Sequence, residues 1–223
     1  DRDIGMEQSQ SIAIEQDVRL FPRQKRVGIL GGTFNPPHNG HIDMARRVKG
    51  EFSLDEVSLM PCGNPPHKDH GLAPKEMRLQ MTRMCAAGTD VKVLDLEVKR
   101  SGFSYTSETL AELREKEPET DYYFIVGADT VFELCTWHDF ERLFKLTNFI
   151  CVRRQNYDLL ALAAEIARLK QDYGAHIFLS EYTGLFVSSS YIRRRVAESR
   201  SIEGLVPQSV EEYILANGLY RKP

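Results

Sequence analysis

The apolar run Val27-Gly28-Ile29-Leu30 leads directly into Gly31-Gly32-Thr33-Phe34-Asn35-Pro36-Pro37-His38-Asn39-Gly40-His41. The run reads as a buried first strand, and the glycines let the chain turn sharply and pass close to a ligand. His38 and His41 then open a helix. At a spacing of three, both imidazoles share one face of its first turn, beside unpaired backbone N–H groups and the positive end of the helix dipole. An anion fits such a place, and a polyphosphate fits better than a carboxylate. Two other readings stay open at this point, an ordinary surface turn and a metal site. A structural metal would need two further ligands, and His67, His70, His138 and His176 show no paired metal spacing. The G-x-x-x-x-G-K-(S/T) pattern of a Walker loop is not met here.

The rest of the chain alternates strand and helix. Strands are expected over residues 26–31, 57–61, 91–98, 122–126, 148–152 and 175–179, and helices near 40–49, 74–87, 106–116, 139–146 and 158–171. Val91 to Val98 alternates apolar and polar residues, as a strand with one wetter face does. Met77, Met81, Met84 and Cys85 form an apolar stripe that predicts a helix face packed on a sheet. Ser209-Val-Glu-Glu212 predicts a capping box for a last helix, with Gly218 at its C-cap. This order implies an α/β fold with a doubly wound, mostly parallel sheet that takes ligands at the carboxyl ends of its strands. Residues 26–223 are expected to form a single domain whose C-terminal helical portion begins near 188. Residues 1–25 read as an N-terminal extension, with Met6 as native start and Asp1 to Gly5 an artificial leader.

With 223 residues, 42% of them hydrophobic, the chain is long enough for a real core. A net charge of −3 argues against broad nucleic-acid affinity. No apolar run approaches the ~18 residues of a membrane helix. The four cysteines, Cys62, Cys85, Cys135 and Cys151, are scattered and read as reduced cytoplasmic thiols.

A second block, Val187-Ser188-Ser189-Ser190-Tyr191-Ile192-Arg193, combines helix-capping serines with an arginine able to make a forked contact to phosphate. Its plain alternative is an N-cap followed by solvated arginines. In Asn64-Pro65-Pro66-His67-Lys68 the prolines stiffen a loop and set Lys68 as a point charge, or else the loop is a simple surface turn. Gly127-Ala128-Asp129 follows a strand. Trp137 is the lone tryptophan, a residue type more often core than ligand-facing.

The first block resembles the G-G-(S/T)-F-x-P-x-H-x-G-H signature of the nucleotidyltransferase superfamily, related to the HIGH motif of class I aminoacyl-tRNA synthetases. The second is similar to that family's (I/V)-S-S-(S/T)-x-(I/L)-R signature. From Arg26 to the C-terminus the chain resembles the bacterial nicotinate-nucleotide adenylyltransferases. The resemblance implies a Rossmann-like fold and ATP bound by Gly31, Gly32, Thr33, Phe34, His38, His41, Gly127, Asp129, Ser188, Ser189 and Arg193. His38, His41 and Arg193 would be catalytic. Lys68, Thr106, Trp137, His138 and Arg154 would bind the nicotinate mononucleotide, with Trp137 stacked on the pyridine ring. The match is weakest at Arg154, where Gln155 replaces the usual Pro-Gly, and Cys62 replaces a polar residue of relatives. Adenylyl transfer by direct in-line attack is the chemistry implied, with Mg²⁺ carried on ATP and no firm protein ligand. Nucleic acid and membrane are not expected partners, and self-association is left open. The rival readings are a relative using nicotinamide mononucleotide, pantetheine phosphate or FMN chemistry, and a nucleotide-binding module without turnover.

Overall fold

The computed structural model describes residues 23–65, 71–153, 157–184 and 187–223. The elements in chain order are β1 (Arg26–Gly32), α1 (Asn39–Glu51), β2 (Glu56–Pro61), α2 (Lys75–Ala86), β3 (Lys92–Val93), α3 (Leu96–Lys99), α4 (Thr106–Lys116), β4 (Asp121–Gly127), α5 (Ala128–Val131), α6 (Phe140–Leu146), β5 (Asn148–Val152), α7 (Leu159–Tyr173), β6 (Ile177–Leu179), α8 (Ser189–Ala197) and α9 (Gln208–Ala216). The strands form one parallel sheet in the order β3-β2-β1-β4-β5-β6. Strand order reverses between β1 and β4, so a crevice opens outside their carboxyl ends, where doubly wound sheets bind ligands.

Helices cover both faces, and the central strands are therefore apolar on both sides. Alternate residues divide between two cores. Leu30, Ile125 and Ile150 face a layer that includes Ile42, Val48, Met81, Cys85, Ile192 and Ile214. Ile29, Phe124, Val126, Phe149 and Cys151 face Leu110, Leu134, Leu143, Leu162 and Leu169. Helices α1, α2, α8 and α9 thus share one face, while α4 to α7 share the other. Of the stripe expected on α2, Met81 and Cys85 are buried in the core and Met84 packs against it, while Met77 is only half-buried.

Three local expectations need correction. Residues 91–98 do not form one strand. Among the described residues β3 pairs only with β2, through Ser58↔Lys92 and Leu59↔Val93. Beyond Leu94, whose N–H meets the Leu59 carbonyl at 2.9 Å, the chain turns into α3. That turn buries Glu97 and Val98, and the Thr109 hydroxyl donates to Glu97 Oε2 at 2.9 Å. A buried, hydrogen-bonded Glu97 overrides the alternating pattern. The last helix starts at Gln208 with Pro207 as N-cap, so Ser209 makes no capping box, although Gly218 follows the C-cap Asn217 with φ 60°. The final strand is shorter than expected, because only Ile177 to Leu179 pair with β5.

Candidate active site

The glycine turn lies where it does because β1 ends between two neighbours. Gly31 and Gly32 pair with Met60 and Pro61 of β2. A Cβ on Gly31 would come within 2.7 Å of the Phe124 ring on β4, so any other residue here would require that buried ring to shift. Helix α1 begins at the N-cap His38, which makes His41 its third residue. The two rings stack at a centroid distance of 3.6 Å, 22° from parallel, and Phe34 meets His41 edge-on at 4.8 Å.

One hydrogen bond sets the chemistry of this pair. The His38 backbone N–H donates to His41 Nδ1 at 3.1 Å. That nitrogen holds no proton, so the neutral His41 ring carries its proton on Nε2. Burial lowers the His38 pKa to about 4. Burial, and then the neighbouring His38, hold His41 well below the usual histidine range. Both imidazoles are thus neutral hydrogen-bond donors at physiological pH.

Helix α8 is fastened to the same turn. Ser188 caps it by accepting the Tyr191 N–H at 3.1 Å, Ser189 Oγ donates to the Pro36 carbonyl at 2.7 Å, and Arg193 Nη1 donates to the Asn35 carbonyl at 2.9 Å. Histidines and guanidinium are therefore assembled around one loop, from segments 158 residues apart at Arg193 and Asn35.

A second polar cradle lies across β4. Gly127 ends that strand with φ −76°, and a Cβ there would meet nothing within 4 Å. Asp129 is exposed in the first turn of α5. Trp137 is half-buried with its ring edge-on to Phe124 at 6.2 Å, and the Tyr105 ring lies 4.3 Å from that of His138. Tyr105 is the N-cap of α4 and Thr106 its first residue. The Ser104 and Ser107 hydroxyls beside it are buried with no hydrogen-bond partner among the described residues. A helix start with unmatched donors suits a carboxylate.

The cytidylyltransferase-like family model matches residues 29–195. The "Probable nicotinate-nucleotide adenylyltransferase" of Moorella thermoacetica is 42% identical over 207 residues, covering 92% of this chain and 95% of the relative. That of Desulfitobacterium hafniense strain Y51 is 39% identical, over 88% and 96% of the two chains. The chain belongs to the nicotinate-nucleotide adenylyltransferase family. A solved structure, "Plasmodium falciparum nicotinic acid mononucleotide adenylyltransferase complexed with NaAD", superposes with a TM-score of 0.73 at 20% identity, over 88% of this chain and 97% of that one. At that identity the likeness concerns the fold.

Of the residues expected to serve a nicotinate-nucleotide adenylyltransferase, the structure groups Gly31, Gly32, Thr33, Phe34, His38, His41, Ser188, Ser189 and Arg193 around the turn. Trp137 packs on Phe124, and His138 lies against the Tyr105 ring, next in the chain to Thr106. Lys68 and Arg154 lie outside the described residues. The plain alternative for the second block holds in part: α8 is capped by Ser188, but Ser189 and Arg193 bind the distant turn.

Arg78, Asn35 and Tyr220 carry no assignment from the sequence alone, yet hydrogen bonds join them to the turn. Arg78 is 1% exposed, and its guanidinium donates to the backbone carbonyls of Ala73 at 2.9 Å, Thr33 at 2.9 Å, Cys62 at 2.7 Å and Gly63 at 2.7 Å, with Cys62 Sγ a further contact at 3.8 Å. Its one sequence signal is an arginine four residues before the buried Thr82 on the inner face of α2.

Proposed function

We propose that this chain transfers the adenylyl group of ATP to nicotinate mononucleotide, releasing pyrophosphate and forming nicotinate adenine dinucleotide. The observation that carries this reading is the pair of stacked, neutral imidazoles at the start of α1, bound through their turn to Arg193 of α8. An oxygen of the acceptor's 5′-phosphate attacks the α-phosphorus of ATP. As that P–O bond forms, the bond from the α-phosphorus to the bridging oxygen breaks, and pyrophosphate leaves with the electron pair. The Nε2–H of His41 and the ring of His38 donate to oxygens on which charge develops, and Arg193 holds the departing pyrophosphate. Such chemistry relies on positioning and charge stabilisation and needs no covalent enzyme intermediate.

Among the described residues no group of three His, Cys, Asp or Glu is arranged to hold a metal ion. The imidazole and guanidinium donors suit phosphate oxygens, and magnesium usually keeps several waters and binds phosphates. This donor set fits an ion that arrives on ATP, where it would neutralise part of the triphosphate charge.

At the acceptor end, the backbone N–H groups of Thr106 and His138 would hold the pyridine carboxylate. An amide there would set its NH₂ against those donors, and sites built for one hydrogen-bond pattern can discriminate by up to ~10⁴-fold. Pyrophosphate release is to be measured with ATP and nicotinate mononucleotide, nicotinamide mononucleotide or pantetheine phosphate in parallel. A strong preference for the nicotinate form is expected, and equal kcat/KM for the two pyridine nucleotides would overturn the assignment. Trp137→Ala should raise the acceptor KM far more than the ATP KM, since base–aromatic stacking is worth roughly 1–3 kcal/mol.

A further inference from the structure

Tyr220 stands three positions before the last residue given, yet it is bound into the loop that opens the site. Its hydroxyl donates to Asn35 Oδ1 at 2.6 Å. The same oxygen accepts the Ala73 N–H at 3.0 Å, and Asn35 Nδ2 donates to the Gly71 carbonyl at 2.8 Å. Asn35 itself is 4% exposed. A carboxamide oxygen has two lone pairs, and here both are engaged. The main-chain carbonyl of Asn35 accepts from Arg193. One buried residue thus joins the C-terminal tail, the glycine turn, the segment at Gly71 to Ala73 and the arginine of α8. Arg78 closes the loop, reaching both the Ala73 and Thr33 carbonyls.

Burial pushes the Tyr220 phenol above its usual range, with Arg193 and Arg78 acting in the opposite direction. The hydroxyl therefore keeps its proton and remains a donor at any working pH. Tyr220 is also held in place from behind. It adopts φ 63° and packs with Leu219 against the core, and the Leu219 N–H meets the Ile214 carbonyl at 3.0 Å.

We propose that Tyr220 is a positioning residue for the ATP phosphates, acting through the Asn35 carboxamide to fix the carbonyl on which Arg193 rests. The proposal rests on the reading of Arg193 as a triphosphate contact. Arg193 spends one Nη1 donor on Asn35, and among the described residues its other N–H groups make no hydrogen bond that would keep them from phosphate oxygens. If the carboxamide loses its tyrosine, the Asn35 carbonyl is less well held, and the guanidinium with it. The tail contributes to nucleotide affinity without touching the nucleotide.

Tyr220→Phe keeps the ring and its packing while removing the donor. Two measurements are made on the full chain: steady-state kinetics for ATP and acceptor, and calorimetric titration with a non-cleavable ATP analogue. The variant should raise the ATP KM and the analogue's Kd by about three- to ten-fold, the range expected for one lost hydrogen bond. The acceptor KM should stay within about two-fold by the same argument. In an Arg193→Ala background the added effect of Tyr220→Phe on the analogue's Kd should disappear, because the route passes through Arg193. Unchanged analogue affinity, equal rises in both KM values, or full additivity with Arg193→Ala would each overturn the proposal. If the wild-type chain binds the analogue but forms no dinucleotide, the functional reading fails while the titration still decides the role of Tyr220.

Discussion

The imidazole pair shows how burial decides protonation. His41 is neutral with its proton on Nε2, because Nδ1 accepts a backbone N–H and the ring is buried. A donor aimed at transition-state charge is worth about 2.7–4 kcal/mol, so His41→Ala should cut kcat by ~10²-fold or more. Near-normal turnover in a folded variant would remove His41 from the catalytic set. His38 links the site to stability. Its pKa is lowered from 6.5 to about 4 in the folded chain, so between those values the unfolded state binds the extra proton. Stability from this residue is full above 6.5 and is lost as pH falls toward 4. His38→Asn should flatten the pH dependence of urea-unfolding stability over that interval. An unchanged slope would show that His38 does not titrate there. Elsewhere burial also silences thiols, with Cys85 and Cys151 pushed up to about 12 and about 11 and no disulfide among the described residues.

Among the elements, two glycines at strand ends make opposite demands. Gly63, just past β2, packs against the main chain of α3, where a Cβ would fall on the Glu97 carbonyl oxygen. Backbone on backbone cannot yield cheaply. Gly63→Ala should therefore lower the melting temperature, by roughly 2–4 °C for each kcal/mol lost in a chain of this size. Gly127, at the end of β4, has ordinary dihedral angles and open space around it, so nothing among the described residues demands glycine. A nucleotide passing close to its Cα would. Gly127→Ala should leave the melting temperature unchanged and weaken ATP-analogue binding, and a variant with unaltered binding would place the nucleotide elsewhere. The edge strand illustrates what local pattern cannot settle. Val91 to Val98 alternates as a strand should, but pairing on one side only and the burial of Glu97 beneath α4 turn its second half into helix. The pKa of Glu97 is raised by that burial, as expected of a carboxyl removed from water.

Across the whole molecule, one charge holds together what the sheet brings near. Among the described residues no carboxylate pairs with Arg78, whose guanidinium instead donates to four carbonyls from the glycine turn, the end of β2 and the approach to α2. Arg78→Met preserves much of the volume but leaves those carbonyls without their donor. The loss should be on the order of 3 kcal/mol or more in urea unfolding, because each unmatched buried polar group costs roughly 1–3 kcal/mol. A variant as stable as the parent would show that water replaces the guanidinium. The sequence alone determined the α/β alternation, the strand feeding a glycine turn, and the paired histidines, because periodicity, glycine freedom and helix geometry act within a dozen residues. It also carried both signature blocks. Tertiary structure decided which distant residues share the turn: Arg193 on the Asn35 carbonyl, Tyr220 on its carboxamide and Arg78 beneath Thr33. It likewise decided that the histidines are neutral. Those outcomes depend on desolvation and on hydrogen bonds between segments far apart in the chain, and no local spacing encodes either.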